Sequence, residues 1–348
     1  MKGLQNFGNT CYLNSIIQIL VNTPKFIECL KSFQVSTVTS NKESELQVSV
    51  SKSFCNLLYV YHEQDTDDKL SKALSTFIKH FVNYHTSFST DQHDQHEYLI
   101  LLFRIIHDTM NTLCKFTIIG TPLSDLDKLE QKSLISYRVD GMSTSTDNLQ
   151  INNATAYDSA IFRLFTGQFH FQTECLNCRY ISHRFETFRS WDLPAGNPSN
   201  DDLSLEESLS ECTNVTQLSI DDIYECDVCH VKTQSLRKCS IWRLPEILII
   251  SIKRNITQLI NGRFITIKDQ RIVKSPDLLD CAPYMSVTRD RSVYSLYATA
   301  NHFGSPTFGH CMCYIKTEDG WHYLDDDRIG LRNIDQKSQY ILFYNRNT

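Results

Sequence analysis

Two Cys-x-x-Cys pairs, Cys175 with Cys178 and Cys226 with Cys229, constrain this chain more than any other feature. They stand 47 residues apart, and each has the spacing of a metal-binding knuckle, so the intervening chain must return to set four thiolates around one ion. Four sulfur ligands complete a tetrahedral shell and leave no open position for a reactive water. The pairs therefore predict one structural Zn2+. Thirteen cysteines is an odd total, and several of the others, such as Cys29, Cys55 and Cys114, lie in apolar stretches where a free thiol serves as a small hydrophobe. A disulfide framework is not expected.

Periodicity changes along the chain. From Thr10, the residues Leu13, Ile16, Ile17 and Leu20 recur at helical spacing, and Pro24 follows. The first element is predicted as a buried helix headed by Cys11. A second helix is predicted after Ser89 and Thr90, with Tyr98, Leu101, Leu102, Ile105 and Thr109 on one face. Residues 36–48 and 123–160 are polar with little periodicity, and they are predicted as poorly ordered surface loops or insertions. Beyond Phe162 the pattern turns to alternation, with strands predicted at 167–173, 180–188, 246–252, 293–300, 311–316, 321–324 and 340–344. Helices first and strands afterwards indicate an α+β fold with a mainly antiparallel sheet rather than βαβ units.

A net charge of −6 lacks the basic stripe of a phosphate-binding protein, so nucleic acid is not an expected partner. No apolar run is long enough to cross a bilayer and no signal-peptide pattern opens the chain, so no membrane partner and an intracellular location are expected.

Cys11 at a helix head has one condition for an activated thiol, because unpaired N–H groups there favour the thiolate. The preceding Asn6, Gly8, Asn9 and Thr10 form a loop whose amides could donate to an oxyanion. On position alone, a buried structural cysteine fits equally. Towards the other end stand Gly309-His310-Cys311 and Leu324-Asp325-Asp326-Asp327, with the turn signal Asp319-Gly320 between them. A hairpin with a four-residue loop, 317–320, sets His310 opposite Asp327 and diagonal to Asp325. Spacing leaves Asp325, Asp326 and Asp327 all open as the imidazole's carboxylate. Asp94 and Glu97 begin the second helix, where charge alone reads as a solvated first turn.

The string Gly3-Leu-Gln-Asn-Phe-Gly-Asn-Thr-Cys-Tyr-Leu-Asn-Ser15 resembles the cysteine box of the ubiquitin-specific protease family. The segments Asp91–Glu97, Phe165-Thr-Gly-Gln-Phe169, Trp242–Arg254 and Gly309–Tyr314 are similar to further boxes of that family, in the family order, up to Tyr340–Tyr344. The resemblance implies a papain-like cysteine protease fold in one catalytic domain over 1–348, with no room for an accessory domain. Its parts would be a helical thumb to about 122, a variable insertion at 123–160, zinc-ribbon fingers at 161–240 and an antiparallel-sheet palm at 241–348. It implies Cys11 as nucleophile, His310 as base, Asp325 as the carboxylate orienting it, Asn6 as oxyanion donor and Asp326 as an assistant. Asp94 and Glu97 would hold the arginines of a ubiquitin tail ending Arg-Leu-Arg-Gly-Gly.

The implied activity is thiol-dependent deubiquitination, cleaving the peptide, isopeptide or ester bond after ubiquitin's terminal glycine. The implied partners are ubiquitin and ubiquitinated proteins, met by a monomer in cytoplasm or nucleus. Three rivals stand beside it: a silent ubiquitin-binding scaffold, opposed by the intact Cys11, His310 and Asp325; an isopeptidase for another Gly-Gly modifier; and a zinc-ribbon nucleic-acid binder, opposed by the acidic balance. The chain departs from the family pattern with Cys311 in place of a tyrosine, Asn255 in place of an aromatic residue, and His93, Gln95 and His96 in place of glutamine or alanine.

Overall fold

The segment after Thr10 is apolar on nearly every side, and it folds as a helix without a solvent face. In the computed structural model all eleven residues of α1 (Cys11–Val21) are buried, as expected for a helix apolar all round. The structure describes the chain except residues 37–40, 64–66, 89–91, 118–120, 139–153, 195–201, 219–223, 261, 288–290, 307 and 348. Around α1 lie α2 (Pro24–Leu30), which opens on its proline, α3 (Lys42–His62), α4 (Asp67–Tyr84) and α5 (Gln95–Thr109). Further along come α6 (Asp125–Arg138), α7 (Ala160–Phe165) and α8 (Leu205–Thr213).

Two stretches expected as loops are structured in part. Within 36–48, helix α3 begins at Lys42, where Asn41 and Ser44 cap each other's backbone N–H groups reciprocally. Serines replace apolar residues on its buried face, at Ser51 and Ser53, which hid the periodicity. Within 123–160, α6 docks through the small buried residues Ser133 and Ser136, the latter donating to the Phe185 carbonyl at 2.8 Å. Strand Ala154–Ser159 pairs antiparallel with Asn111–Phe116. The middle of that expected insertion, and the expected helix start at Ser89 and Thr90, lie outside the described residues.

The central sheet is antiparallel except where Trp191–Pro194 runs parallel to Ile247–Lys253. The apolar run at 247–250, resumed at Ile252 after the buried Ser251, follows from burial on both faces. Ile247 and Ile249 enter the core shared with the helices, whereas Leu248, Ile250 and Ile252 enter a second core behind the sheet. Strand Val293–Gly304 serves both cores by another device. Its pairing with Gln339–Arg346 shifts by one residue between Leu296 and Ala298, a β-bulge. Tyr294 and Leu296 therefore face the second core, and Ala298 and Ala300 face the helices. Small alanines there let α1 lie close to the sheet.

The predicted hairpin exists as Gly309–Thr317 and Gly320–Asp325. Its loop is two residues, Glu318 and Asp319, rather than four, because Thr317 and Gly320 still pair and Gly320 takes φ +128°. The register is unchanged by this. A separate sheet joins Gly167–Cys175 to Ile181–Phe188 and Ser235–Arg243, and the four cysteines gather at its end, Cys175 being the last residue of its strand. Among the described residues, no helix is long and apolar enough to cross a membrane.

Candidate active site

The loop before α1 is tied by one side chain. Asn6 Oδ1 accepts from the backbone N–H of Gly8 at 2.8 Å and of Thr10 at 3.3 Å, and from the Thr10 hydroxyl at 3.2 Å. Gly8 at φ +93° and Asn9 at φ +54° supply the left-handed turn that delivers Cys11 to the first helical position. With its oxygen so engaged, the amide of Asn6 has a fixed orientation. Its Nδ2 points away from the loop and donates to Asp326 Oδ2 at 2.8 Å. An amide nitrogen has two hydrogens, so one remains for a second acceptor.

Strand Gly309–Thr317 packs on α1, and it brings His310 and Cys311 to Cys11. Cys11 is 4% exposed. Hydrogen bonds from the Cys311 thiol, from the His310 imidazole and from the Cys311 backbone N–H lower its pKa to about 4, against the opposing effect of burial. The His310 imidazole is raised to about 9, first by its bond to Cys11 and then by Asp325, whose Oδ1 lies 2.5 Å from Nε2. Between these limits the pair stands as thiolate and imidazolium. Gly309 precedes His310 for a steric reason: a Cβ there would sit 2.2 Å from both His302 Nε2 and the Phe303 carbonyl oxygen.

Among the three aspartates left open by spacing, Asp325 is the one on the imidazole. Asp326, at a left-handed φ of +54°, keeps its carboxylate within 4.8 Å of the imidazole, but its hydrogen bonds go elsewhere. Its carboxylate takes Asn6 Nδ2 on one oxygen and Asn14 Nδ2, at 2.8 Å, on the other. Its carbonyl accepts from Gln18 Nε2 at 2.9 Å and from the Leu4 N–H at 2.8 Å. Asn14 and Gln18 were missed by sequence reading. The signal was present, since two polar residues four apart on a mostly apolar helix line one stripe.

A cleft runs from Cys311 between the start of α5 and the sheet, lined by Asp94, His302, Lys268 and Tyr340 among others. Asp94 is the N-cap of α5 and not a residue of its surface. One oxygen accepts the N–H groups of His96 and Glu97 at 2.7 and 3.0 Å, and the other accepts the Tyr340 hydroxyl at 2.5 Å. Glu97 is exposed within the first turn. The altered positions are used internally: His93 packs on Phe88 with ring centroids 4.3 Å apart, Gln95 donates to Ser15 Oγ at 2.6 Å, and His96 lies 3.0 Å from Ser190 Oγ.

The four paired cysteines meet as expected. Cys175 Sγ and Cys229 Sγ are 3.8 Å apart, and Cys178 Sγ and Cys226 Sγ are 3.6 Å apart. A ZnS4 tetrahedron with Zn–S of about 2.3 Å has S···S edges of about 3.8 Å, so the spacing fits the ion and is far too long for disulfides. The two knuckles are built alike. Arg179 and His230, each just after its pair, have φ +64° and +55°, and their N–H groups donate back to Cys175 and Cys226 carbonyls at 2.8 and 2.9 Å.

Residues 2–344 match the family described as ubiquitin carboxyl-terminal hydrolase. The chain belongs to that family. Among its hydrolase relatives is ubiquitin carboxyl-terminal hydrolase 2 of Bos taurus, 26% identical over 356 residues, covering 99% of this chain and 55% of the relative. Ubiquitin carboxyl-terminal hydrolase 21 of Mus musculus is 28% identical over 361 residues, covering 98% of this chain and 61% of the relative. The chain thus spans little more than half the length of these two hydrolases. A chain of the solved SAGA Ubp8/Sgf11/Sus1/Sgf73 DUB module bound to ubiquitin aldehyde shares its fold, with a TM-score of 0.74 at 19% identity over 100% of this chain and 70% of that one. The expected α+β protease fold is the one observed.

Proposed function

We propose that this hydrolase-family chain is a cysteine-type deubiquitinase that cleaves the bond after the C-terminal glycine of ubiquitin. The observation that carries the reading is the line from Cys11 through His310 to Asp325, with the Asn6 amide in the preceding loop held by Asp326. A silent scaffold would have no use for a buried thiolate held against an imidazolium.

Cys11 thiolate attacks the carbonyl carbon of the terminal glycine. The free N–H of Asn6 receives the oxyanion, and Asp326 holds that amide in place. His310, protonated and steadied by Asp325, gives its proton to the leaving amine and becomes neutral. The thioester on Cys11 is then opened by water, from which His310 takes a proton, and the thiolate is restored. Asp94 and Glu97 lie where the arginines preceding the glycines would pass. Glu97 is exposed for a guanidinium, while Asp94 is pinned by the helix cap and Tyr340 and offers a fixed carboxylate edge.

The fingers would hold one zinc through Cys175, Cys178, Cys226 and Cys229, whose four thiolates would leave no position for a reacting water, so the ion would support the fold rather than the reaction. The thumb, insertion, fingers and palm divide at about 122, 160 and 240. The test is ubiquitin carrying a C-terminal propargylamide. Wild type gains one ubiquitin by mass, attached at Cys11, and Cys11→Ala gains none. A folded wild type that stays unmodified contradicts the reading.

A further inference from the structure

His302 lines the same cleft as Asp94 and stands opposite Cys311 on the neighbouring strand. Its two ring nitrogens have different surroundings. Lys268, the last residue of the strand Arg263–Lys268, sends Nζ to His302 Nδ1 at 3.0 Å and to the His302 carbonyl oxygen at 2.7 Å. Burial lowers Lys268 to about 8, so it is still an ammonium at neutral pH and can only donate. Nδ1 therefore accepts. Burial and then the Lys268 charge hold the imidazole down at about 4, and a neutral ring that accepts at Nδ1 carries its proton on Nε2. Among the described residues that Nε2–H has no hydrogen-bond acceptor. The Nε2 edge faces Gly309, where a Cβ would lie 2.2 Å from it, so the missing side chain leaves the donor uncovered beside the residue that precedes the base. Tyr340, whose hydroxyl holds Asp94, packs beside the ring with centroids 6.4 Å apart.

We propose that Lys268 is a positioning residue that fixes His302 as its Nε2–H tautomer, and that this N–H donates to a backbone carbonyl of the substrate tail ahead of the scissile bond. The inference rests on the reading above, in which a tail ending in two glycines enters this cleft. Glycines offer a channel only their peptide groups, so an oriented N–H between Asp94 and Cys311 sets the register of the tail on Cys11. The opposite tautomer would present a lone pair to the same carbonyl and repel it. Lys268 thus acts through His302 and touches no reacting atom. Its bond serves bound substrate and transition state alike, so its loss falls on KM rather than kcat.

The experiment records imidazole nitrogen spectra of the whole 15N-labelled protein, with the His302 signals assigned by their loss in His302→Gln. Wild type should show Nε2 protonated and Nδ1 bare, and Lys268→Met should show the two tautomers in exchange. With ubiquitin-fluorophore, Lys268→Met should raise KM roughly tenfold at nearly unchanged kcat, and Lys268→Arg should recover most of the loss. In a His302→Gln background, whose amide donates without a tautomer to fix, Lys268→Met should change KM less than about twofold. A proton on Nδ1 in wild type, or the same rise in KM in both backgrounds, overturns the proposal. The spectra need no turnover: a folded wild type that leaves ubiquitin uncleaved contradicts the deubiquitinase reading, while the tautomer is decided separately. If Lys268→Met does not fold, the wild-type spectrum and Lys268→Arg decide it.

Discussion

Asn6 Nδ2 donates to Asp326 Oδ2 at 2.8 Å, joining the loop before the nucleophile to the turn beyond the base across 320 residues of chain. The bond orients the amide proposed to meet the oxyanion, so Asp326 acts through Asn6. Asp326→Ala should lower kcat by about 10²-fold, within the range for losing one oxyanion donor, with a much smaller change in KM. Asp326→Asn keeps the left-handed backbone readily and should retain more activity. Equal losses in kcat and KM for both variants would count against this role.

The pH profile follows from the ion pair. The Cys11 thiol, lowered to about 4 by Cys311 and His310, loses its nucleophilic form as pH falls through that value. The His310 imidazolium, raised to about 9 by Cys11 and Asp325, loses the proton meant for the leaving group as pH rises through that value. A bell-shaped kcat/KM with a broad plateau between is expected, its limbs belonging to the pair. Asp325→Asn should draw the basic limb downward. A rate following a single pKa near 9.0, that of an unperturbed thiol, would refute the pairing.

Metal analysis should find one zinc per chain, bound with the fold rather than with the chemistry. Cys226→Ser breaks the buried half of a knuckle and should lower Tm by roughly 10 °C or more. Chelation during unfolding should do the same to wild type. A metal-free protein with unchanged Tm would show that the four thiols need no ion.

The helix headed by Cys11, the helix carrying Tyr98 to Thr109, the main strands, the cysteine cluster and the catalytic hairpin were legible because each has a periodic or spaced signature. Residues 42–48 and α6 were not: the first is the polar, capped opening turns of α3, with Val48 alone buried, and in α6 Ser133 and Ser136 fill the buried face, so polar composition was taken as exposure. Asp325 could not be told from Asp326 by counting. The choice shows in the hydrogen bonds: Asp325 takes the imidazole, while Asp326, at a left-handed φ, takes Asn6 and Asn14. Asp94 looked like a surface charge and is a cap, a distinction that depends on where the helix begins.

Acid sensitivity should come from His170, which is buried between Ser286 Oγ and His183 Nδ1, each at 2.9 Å. Burial, then His183, lowers it from 6.5 to about 3. The unfolded chain binds this proton between those values and the folded chain does not, so stability is full above pH 6.5 and falls as pH drops, by at most about 1.4 kcal/mol per pH unit. His170→Phe should lose about 1 kcal/mol at neutral pH through its hydrogen bonds, yet show a shallower decline below 6.5. Parallel stability curves would exclude His170 as the source.

The most direct test is the rate of fluorophore release from the C-terminus of ubiquitin, measured for wild type and Cys11→Ala at equal concentration with folding checked for both. Multiple turnovers by wild type and none by Cys11→Ala are predicted. No turnover by a folded, zinc-loaded wild type, or equal turnover by both, would contradict a deubiquitinase built on Cys11.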